Sequence, residues 1–448
     1  MKVAKFGGTS LADANQIKKV CDIILSDPER KIIVVSAPGK RTKDDIKVTD
    51  LLIAVATAFL EKGSAEAEIA LVAARYEQIA EDLNIAEQFK GVVTQNLNKL
   101  LKKTYEQPED AVNALKAAGE DNNARLVAAY LSSIGHPAVY VNPDDAGLVL
   151  KETKSGVHVR SVSLINLAKL KDYKEIVIFP GFFGYTKTKK IVTFSRGGSD
   201  ITGSILAAAV EADVYENFTD VDSVFAANPS IIENPKAIPE FTYREMRELA
   251  YMGFSVLHED TLEFVYHAKI PVNIKNTNNP SAKGTFIRPE RADGGLITGI
   301  ASANNFVSIN MTKYMMNREI GFGRKVLQIL EDEDISFEHM PSGIDDMSVI
   351  MRNTRFNPET TERILNKIKS ECEVDTIDFD DDLAVIIIVG EGMKQHVGVT
   401  ARSASALAKA KVNIKMINQG SSEISMMFGV SKTDEKRAVQ AIYNEFFE

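Results

Sequence analysis

Strand-like and helix-like patterns alternate from the start of the chain, and this alternation narrows its possible folds more than any other feature. Val3–Phe6 has a strand pattern and precedes a segment with apolar residues at helical spacing. The run Lys31–Ser36 (KIIVVS) is apolar at its centre, as in a strand buried on both faces of a parallel sheet. After a helix-rich stretch from Val48 to Leu131, strand patterns return as far as Phe218. We therefore expect an α/β sandwich with one mixed or mostly parallel sheet.

A different pattern follows a loop-rich stretch that ends near residue 295. Two units of roughly 70 residues each have the order βαββαβ, once weak strands near Phe337, Val374 and Ile414 are counted. This order is typical of ferredoxin-like modules. We therefore expect domains at 1–295, 296–380 and 381–448, with a strand near 297–303 as a candidate addition to the third.

Composition excludes several classes of protein. The 448 residues include 53 Lys and Arg against 62 Asp and Glu, a formal charge of −9 that disfavours nucleic acid as a main partner. No run approaches the roughly 18 apolar residues that span a bilayer. Cys21 and Cys372 have no neighbours at metal-ligand spacing, which favours a reducing compartment. We expect a cytoplasmic protein without a resident metal.

Two glycine-rich segments lie at strand-to-helix crossovers. The first is Lys5–Ser10 (KFGGTS), and the second is Ser195–Asp200 (SRGGSD). Each combines a glycine pair with a cation, and open α/β sheets bind ligands beyond the carboxyl ends of their strands. A tight turn with a helix N-cap also explains the first segment taken alone. Together, the two segments predict the facing halves of a polyphosphate site.

Several motifs in combination resemble the aspartate kinases of the amino-acid kinase family, which carry two C-terminal ACT domains. The segments that carry this resemblance are Lys5–Ser10, Gly119–Glu120, Phe194–Asp200 (FSRGGSD), Phe218–Asp222 (FTDVD), Val256–His258 (VLH) and Gln419–Ser425 (QGSSEIS). The resemblance covers the whole chain. It implies a three-layer αβα sandwich followed by two ferredoxin-like ACT domains.

The resemblance also implies a reaction. ATP would transfer its γ-phosphoryl group to the β-carboxylate of L-aspartate, giving 4-phospho-L-aspartate for lysine, threonine and methionine synthesis. An ionised carboxylate needs no general base, so catalysis reduces to bringing two anions together and neutralising their charge. Mg²⁺ would be held through the ATP phosphates and water rather than by protein ligands.

The family's functional positions map onto this chain in three groups. The implied catalytic residues are Lys5, Arg196 and Asp200. The implied aspartate-binding residues are Ser36, Thr49, Glu120, Arg196 and Ser199, with Glu120 on the α-ammonium and Arg196 on the α-carboxylate. The implied ATP-binding residues are Lys5, Gly7, Gly8, Thr219, Asp220, Val221, Phe225, Ser230, Ser255 and Val256.

The sequence departs from the family pattern at phosphate-facing positions. Ser230 and Ser255 stand where relatives carry Arg and Lys. The basic loop 39–43 (GKRTK) offers a compensation, and we expect Lys40, Arg41 or Lys43 to reach the ATP phosphates, although such a run is commonly a solvated face. The segment Asp121–Asn123, after the Gly-Glu pair, also differs from relatives that carry a basic and a hydroxyl residue there.

The resemblance further implies regulation by an end-product amino acid at the first ACT domain, and a homo-oligomer formed through the ACT domains. The matching effector positions are Met316, Gly321, Phe322, Glu338, Ser342 and Gly343. Since Glu338 is an acid where an effector ammonium would bind, lysine is the preferred inhibitor and threonine the second. Two alternatives stay open: a kinase for another small carboxylate such as glutamate, and a non-catalytic amino-acid sensor.

Overall fold

The computed structural model describes residues 1–153, 156–195, 197–254, 257, 259–291 and 295–448. These residues form two compact units. The first comprises 1–224, 237–247 and 255–291, and the second comprises 225–236, 248–254 and 292–448.

The strands of the described residues are β1 Lys2–Phe6, β2 Arg30–Val35, β3 Ala138–Tyr140, β4 Leu150–Thr153, β5 Gly156–Val159, β6 Ile176–Pro180, β7 Phe183–Tyr185, β8 Ile191–Thr193, β9 Val214–Thr219, β10 Val224–Phe225, β11 Ala237–Ile238, β12 Glu240–Thr242, β13 Val272–Asn276, β14 Thr285–Arg288, β15 Gly299–Thr312, β16 Asp346–Arg352, β17 Thr376–Val389, β18 Met416–Gln419 and β19 Ser425–Val430.

The α-helices of the same residues are α1 Ala14–Leu25, α2 Val48–Lys62, α3 Glu66–Asp82, α4 Ala86–Phe89, α5 Val92–Leu101, α6 Pro108–Ser133, α7 Val162–Leu167, α8 Gly198–Ala209, α9 Tyr243–Tyr251, α10 Leu262–Ala268, α11 Phe322–Asp332, α12 Pro358–Glu371, α13 Val399–Lys409 and α14 Glu435–Phe447.

The described strands of the first unit form an eight-stranded mixed sheet with the order β12-β14-β13-β9-β1-β2-β6-β3. Its centre is parallel, since β1 pairs in parallel with both β2 and β9, and β2 with β6. The chain passes from β1 to β2 on one side and reaches β9 on the other. The strand order therefore reverses beside β1, the position at which open α/β sheets bind ligands.

Helices cover both faces of this sheet. Ala4 and Phe6 point to one face and join a core with α1, α2, α3, α5 and α6. Lys5 points to the opposite face because side chains alternate along a strand, and α8 packs against β1, β2 and β9. This arrangement confirms the expected αβα sandwich. It leaves a charged residue under the helix that follows the second glycine-rich segment.

The second unit contains two modules joined through long strands. The sheet order is β16-β15-β17-β19-β18, and β15 and β17 pair over 299–303 with 385–389 and over 306–312 with 376–383. The first module uses the second half of β15, and its core packs Val307 and Ile309 against α11 and α12. The second module takes residues 299–303 as its edge strand, beside β17, β19 and β18.

Two predicted strands, the weak one near Phe337 and the one at Lys190–Phe194, pair differently from what the sequence pattern indicates. Near Phe337 the chain makes only isolated bridges, His339 to Ile350 and Ser342 to Met347. The apolar run at Ile191–Thr193 joins a two-stranded ribbon with β7 rather than the large sheet. Periodicity identifies an extended segment but does not identify its partner.

Cys21 and Cys372 are both free and buried. Among the described residues, no helix has the length and apolar character needed to cross a membrane.

Candidate active site

The predicted site residues of the first unit follow the carboxyl ends of adjacent parallel strands. Gly7 and Gly8 follow β1, Ser36 follows β2, and the segment 219–221 ends β9 and begins the loop after it. Because β9, β1 and β2 are neighbours with the same direction, these segments meet at one edge of the sheet. The sequence therefore folds them into one region.

Lys5 is held by two side chains from different elements. Its Nζ lies 2.5 Å from Oδ1 of Asp200, near the start of α8, and 3.4 Å from Oδ1 of Asn217 on β9. Asn217 also donates from Nδ2 to Oδ1 of Asp200 at 2.9 Å. Lys5 is only 8% exposed, so its amine is largely shielded from water and is surrounded by these polar groups.

The first glycine pair leaves open space in front of this amine. A β-carbon on Gly7 would lie 3.6 Å from Nζ of Lys5. Gly39, in the loop after β2, donates from its N–H to the Gly8 carbonyl at 2.8 Å, and a β-carbon there would lie 2.6 Å from Gly8 C. The absence of side chains thus allows two loops to approach closely beside Lys5.

The second glycine pair shapes the start of α8. Gly197 takes the left-handed conformation at φ 60°, and α8 begins at Gly198. Ser199 is 8% exposed and contacts the end of β6 so closely that a β-carbon on Gly181 would lie 2.6 Å from its Oγ. Arg196, predicted to bind the α-carboxylate, lies outside the described residues.

Glu120 is a buried acid on α6. The residue is 6% exposed, and Oε2 finds no hydrogen-bond partner among the described residues. Burial raises the pKa of Glu120 to about 8, despite the opposing effect of a hydrogen bond from the Ala37 backbone. Close packing brings α6 to the end of β2, since a β-carbon on Gly119 would lie 2.8 Å from Cβ of Ala37. Thr49 is half-buried in the first turn of α2.

The residues predicted to bind the nucleotide come from several segments of the chain. Thr219 donates to Oδ1 of Asp220 at 3.2 Å, and Val221 is half-buried. Phe225 and Ser230 belong to the second unit, where Ser230 is exposed. Ser255 and Val256 lie outside the described residues.

One cation of the basic loop, Arg41, is already paired with a nearby carboxylate. Arg41 donates from Nε and Nη2 to the two oxygens of Asp45 at 2.9 Å each, and Nη1 of Arg75 lies 2.7 Å from the same carboxylate. These guanidinium groups hold the pKa of Asp45 well below its usual range. Lys40 and Lys43 are exposed, and the Lys40 amine donates to the Lys43 carbonyl at 3.2 Å.

The predicted effector residues fall into separate groups within the second unit. Met316 and Phe322 are buried in the core of the first module, and Gly321 precedes α11 with φ 84°. Ser342 and Gly343 line a polar cleft of about 580 Å³.

Glu338 has a partner of its own. Its Oε1 lies 3.1 Å from Nε of Arg352, whose Nη2 donates to the Tyr251 carbonyl at 2.6 Å. The side chain of Glu338 is 13% exposed. An effector ammonium that bound this acid would therefore have to compete with Arg352.

Two polar residues were not among the sequence-based candidates. Asn217 contacts both Lys5 and Asp200, as described above. Asn123 is fully buried on α6 and donates from Nδ2 to the Ser36 carbonyl at 2.7 Å. A polar residue in the apolar strand VYENFT was a signal for Asn217, and the Asn122–Asn123 pair in an alanine-rich helix was one for Asn123.

Comparison with known proteins gives these residues a context. Residues 1–276 match the amino acid kinase family, and residues 386–446 match the ACT domain. Aspartokinase 3 of Bacillus subtilis is 52% identical over 448 residues, which cover 100% of this chain and 99% of that protein. The chain belongs to the aspartokinase family. It is thus a phosphotransferase of the class that phosphorylates aspartate.

Solved structures of aspartokinases agree with this membership. The aspartate kinase of Clostridium acetobutylicum is 39% identical, with a TM-score of 0.87 and 100% of each chain covered. Aspartokinase III of E. coli, in complex with aspartate and ADP, has the same fold at 24% identity, with a TM-score of 0.80 and 100% of each chain covered. The predicted pair of ferredoxin-like modules after an αβα sandwich is confirmed.

Proposed function

We propose that this aspartokinase transfers the γ-phosphoryl group of ATP to the β-carboxylate of L-aspartate, as the first step toward lysine, threonine and methionine. The observation that carries the proposal is the position of Lys5. Its amine lies at the carboxyl end of the central strand, beside a glycine pair and 2.5 Å from Asp200. A buried cation at a topological switch point suits a reaction between two anions.

Each group has a distinct role in this reaction. Lys5 neutralises charge that develops on the transferred phosphoryl group, and the Gly8 amide shares that task. The Gly7 amide, also expected to do so, instead donates to the Phe218 carbonyl at 3.1 Å. Asp200 and Asn217 hold the Lys5 amine in place, because both contact it from rigid elements. No general base is needed, since the attacking carboxylate is ionised at neutral pH.

The substrate would lie between Lys5 and α6. Glu120 binds the α-ammonium group, while Ser36, Thr49 and Ser199 supply hydroxyl groups around the substrate. Arg196 would bind the α-carboxylate with both arms of its guanidinium. The orphan oxygen of Glu120 supports this assignment, because a buried carboxylate oxygen without a donor has a place for a cationic ligand.

The nucleotide would approach the end of β9. Thr219, Asp220, Val221, Phe225, Ser230, Ser255 and Val256 are the proposed ATP contacts. Mg²⁺ would be held through the phosphate oxygens of ATP and through water. When bound, it would add positive charge against the phosphates.

Trapping the product tests this function. An acyl phosphate reacts with hydroxylamine to give a hydroxamate, so aspartate and MgATP should yield aspartyl hydroxamate with the wild-type chain and far less with Lys5→Met. Glutamate is the matched substrate control, one methylene longer. Hydroxamate from glutamate but not aspartate, or equal amounts from both enzyme forms, would contradict the proposal.

We further propose that an end-product amino acid, lysine before threonine, inhibits the enzyme through the first ACT module. The Clostridium relative is described as allosteric, and Glu338 offers negative charge for a second ammonium group. Inhibition requires that the effector bind one of two global states better than the other. Met316, Gly321, Phe322, Ser342 and Gly343 complete the proposed effector region.

A homo-oligomer through the ACT modules belongs to the same proposal. Three apolar side chains of the first module are largely exposed: Tyr314 at 77%, Ile320 at 99% and Ile344 at 69%. Grouped exposed apolar residues mark interaction surfaces. A second copy of the chain would cover them.

A further inference from the structure

Two neighbouring residues at the end of β2 contact α6. The Ser36 carbonyl accepts from Nδ2 of Asn123 at 2.7 Å, and a β-carbon on Gly119, next to Glu120, would lie 2.8 Å from Cβ of Ala37. Glu120 and Asn123 are three residues apart on the helix, so their side chains are neighbours on one face. Both residues therefore meet the strand end at the same place.

This contact fixes the orientation of the Asn123 amide. A carbonyl oxygen only accepts hydrogen bonds, so the atom facing Ser36 O must be the Nδ2 donor. The other end of the amide, Oδ1, is then an acceptor. It is buried and finds no hydrogen-bond partner within the described ranges, and the same is true of Oε2 of Glu120.

Two orphan acceptors on neighbouring buried side chains are unusual. Buried polar groups nearly always have partners, and an unpaired one raises the free energy of the empty protein. Asn123 is 0% and Glu120 is 6% exposed, so bulk water does not satisfy them. A ligand with several N–H donors and a positive charge would satisfy both oxygens, and its charge would favour the ionised form of Glu120 in which Oε2 is an acceptor. An alkylammonium group has three such donors.

We propose that Asn123 is a specificity-determining residue whose Oδ1, together with Glu120 Oε2, accepts hydrogen bonds from the α-ammonium group of the amino-acid substrate. The proposal rests on the proposed aspartate site and adds a second acceptor to it. The chain thereby selects an amino acid over a plain dicarboxylate, because without the ammonium group both acceptors stay unpaired. Asn123 acts in binding and does not touch the transferred phosphoryl group.

Succinate is the appropriate probe, since it has both carboxylates of aspartate and no ammonium group. Calorimetric titration of the full-length protein with L-aspartate and with succinate gives a discrimination ratio for each variant. We expect Asn123→Leu to weaken aspartate binding about tenfold or more, the usual effect of a hydrogen bond to a charged group. Succinate binding should change less than about twofold.

A second variant separates ligand binding from support of the strand end. Asn123→Asp keeps an acceptor oxygen but loses the donor to Ser36, so it should retain the preference for aspartate. Equal loss of preference in both Asn123 variants would show that the contact with Ser36 is what matters and would overturn the proposal. An unchanged ratio in Asn123→Leu would do the same.

The neighbouring Asn122 provides a matched control. It is also fully buried, but both ends of its amide are satisfied, by the Ala118 carbonyl at 2.8 Å and by Asn96 at 2.8 Å. Asn122→Leu should lower thermal stability and leave the ratio unchanged. Lower discrimination in this variant, equal to that of Asn123→Leu, would contradict a specific role for Asn123.

A further variant distinguishes failure of this inference from failure of the aspartate site. Glu120→Gln should also lose discrimination. If it does and Asn123→Leu does not, only the role of Asn123 is wrong. If neither variant changes the ratio, the proposed ammonium site itself is wrong, and the inference falls with it.

Discussion

Asn217 and Asp200 are joined by a hydrogen bond, in which Nδ2 of Asn217 donates to Oδ1 of Asp200 at 2.9 Å. The two residues come from β9 and from the start of α8, and the same carboxylate oxygen lies 2.5 Å from Nζ of Lys5. Asp200 therefore cannot rotate away from Lys5 without losing a second bond. Asn217 fixes the carboxylate, and the carboxylate fixes the amine.

Removal of Asn217 should mainly affect turnover. We expect Asn217→Ala to lower kcat by about tenfold to a hundredfold, because small misplacement of a group that contacts the reacting atoms is costly. KM for aspartate should change little. Steady-state kinetics check this, with Asn273→Ala as the control, since Asn273 is a buried asparagine on the adjacent strand β13. Equal losses in both variants would indicate a general structural defect.

The raised pKa of Glu120 predicts a pH-dependent affinity for aspartate. With a pKa of about 8 the free carboxyl is mostly protonated at pH 7, whereas binding an ammonium group requires the ionised form. Affinity should therefore rise by up to about tenfold per pH unit from pH 6 and level off near pH 8. Tyr76, which faces Glu120, stays neutral because burial raises its pKa well above the ordinary value.

Calorimetry at several pH values measures this dependence. Glu120→Gln has no titrating group at this position, so its weaker affinity should be flat over the same range. A wild-type affinity that is independent of pH, or that falls as pH rises, would contradict the assignment of Glu120 to the ammonium group.

Sequence patterns predicted those parts of the site that depend on local structure. The glycine pairs at Gly7–Gly8 and Gly197–Gly198 each lie between a strand and a helix, as predicted, because turn chemistry and apolar runs are encoded within a few residues. The strand before the second pair belongs to the β7–β8 ribbon and not to the large sheet. The order of the strands in the sheet is harder to predict from the sequence. The closeness of Lys5 to Asp200 follows from α8 packing over β1, a contact between residues almost two hundred positions apart.

The contacts of long polar side chains were also not predictable. Arg41 could be recognised as a cation, but its pairing with Asp45 depends on the path of the loop. The pairing of Glu338 with Arg352 likewise needs the register of the weak strand near residue 338 against β16. Composition and spacing give the charge of such residues, and packing decides which partner they meet.

The buried ion pair between Arg30 and Glu216 predicts a large effect on stability. Nε and Nη2 of Arg30 donate to the two carboxylate oxygens at 2.6 and 3.1 Å, and the side chains are 8% and 5% exposed. Glu216→Leu leaves a buried guanidinium without its partner, at a cost of about 3–5 kcal/mol in the free energy of unfolding. Chemical denaturation followed by circular dichroism measures this cost.

A surface ion pair provides the comparison. Arg402 and Glu445 are 2.8 Å apart with side chains 46% and 27% exposed, so Glu445→Ala should cost less than about 1 kcal/mol. The double variant Arg30→Met, Glu216→Leu should recover much of the stability lost in Glu216→Leu, because both charges are then gone. Similar costs for the buried and the surface pair would show that the Arg30 charge is solvated.

The ion pair between Glu338 and Arg352 allows a test of the proposed effector site. If the effector ammonium binds this acid, Glu338→Ala should abolish inhibition by lysine, read as the ratio of activity with and without lysine. Arg352→Ala should instead strengthen inhibition, because it removes the cation that competes for the carboxylate at 3.1 Å. Equal inhibition of wild type and Glu338→Ala would reject the site, and a stronger response to threonine than to lysine would reject the choice of effector.

The basic loop after β2 is the proposed source of positive charge for the ATP phosphates, because Ser230 and Ser255 are uncharged. Arg41 is already bound to Asp45 through two hydrogen bonds, whereas Lys40 and Lys43 are exposed. We therefore expect Lys40→Ala with Lys43→Ala to raise KM for ATP several-fold, and Arg41→Ala to affect it less. Lowering the ionic strength should increase the difference between wild type and the lysine variant, since screening weakens such contacts. Unchanged ATP affinity in a triple-alanine variant at 40, 41 and 43 would leave this loop without a role in nucleotide binding.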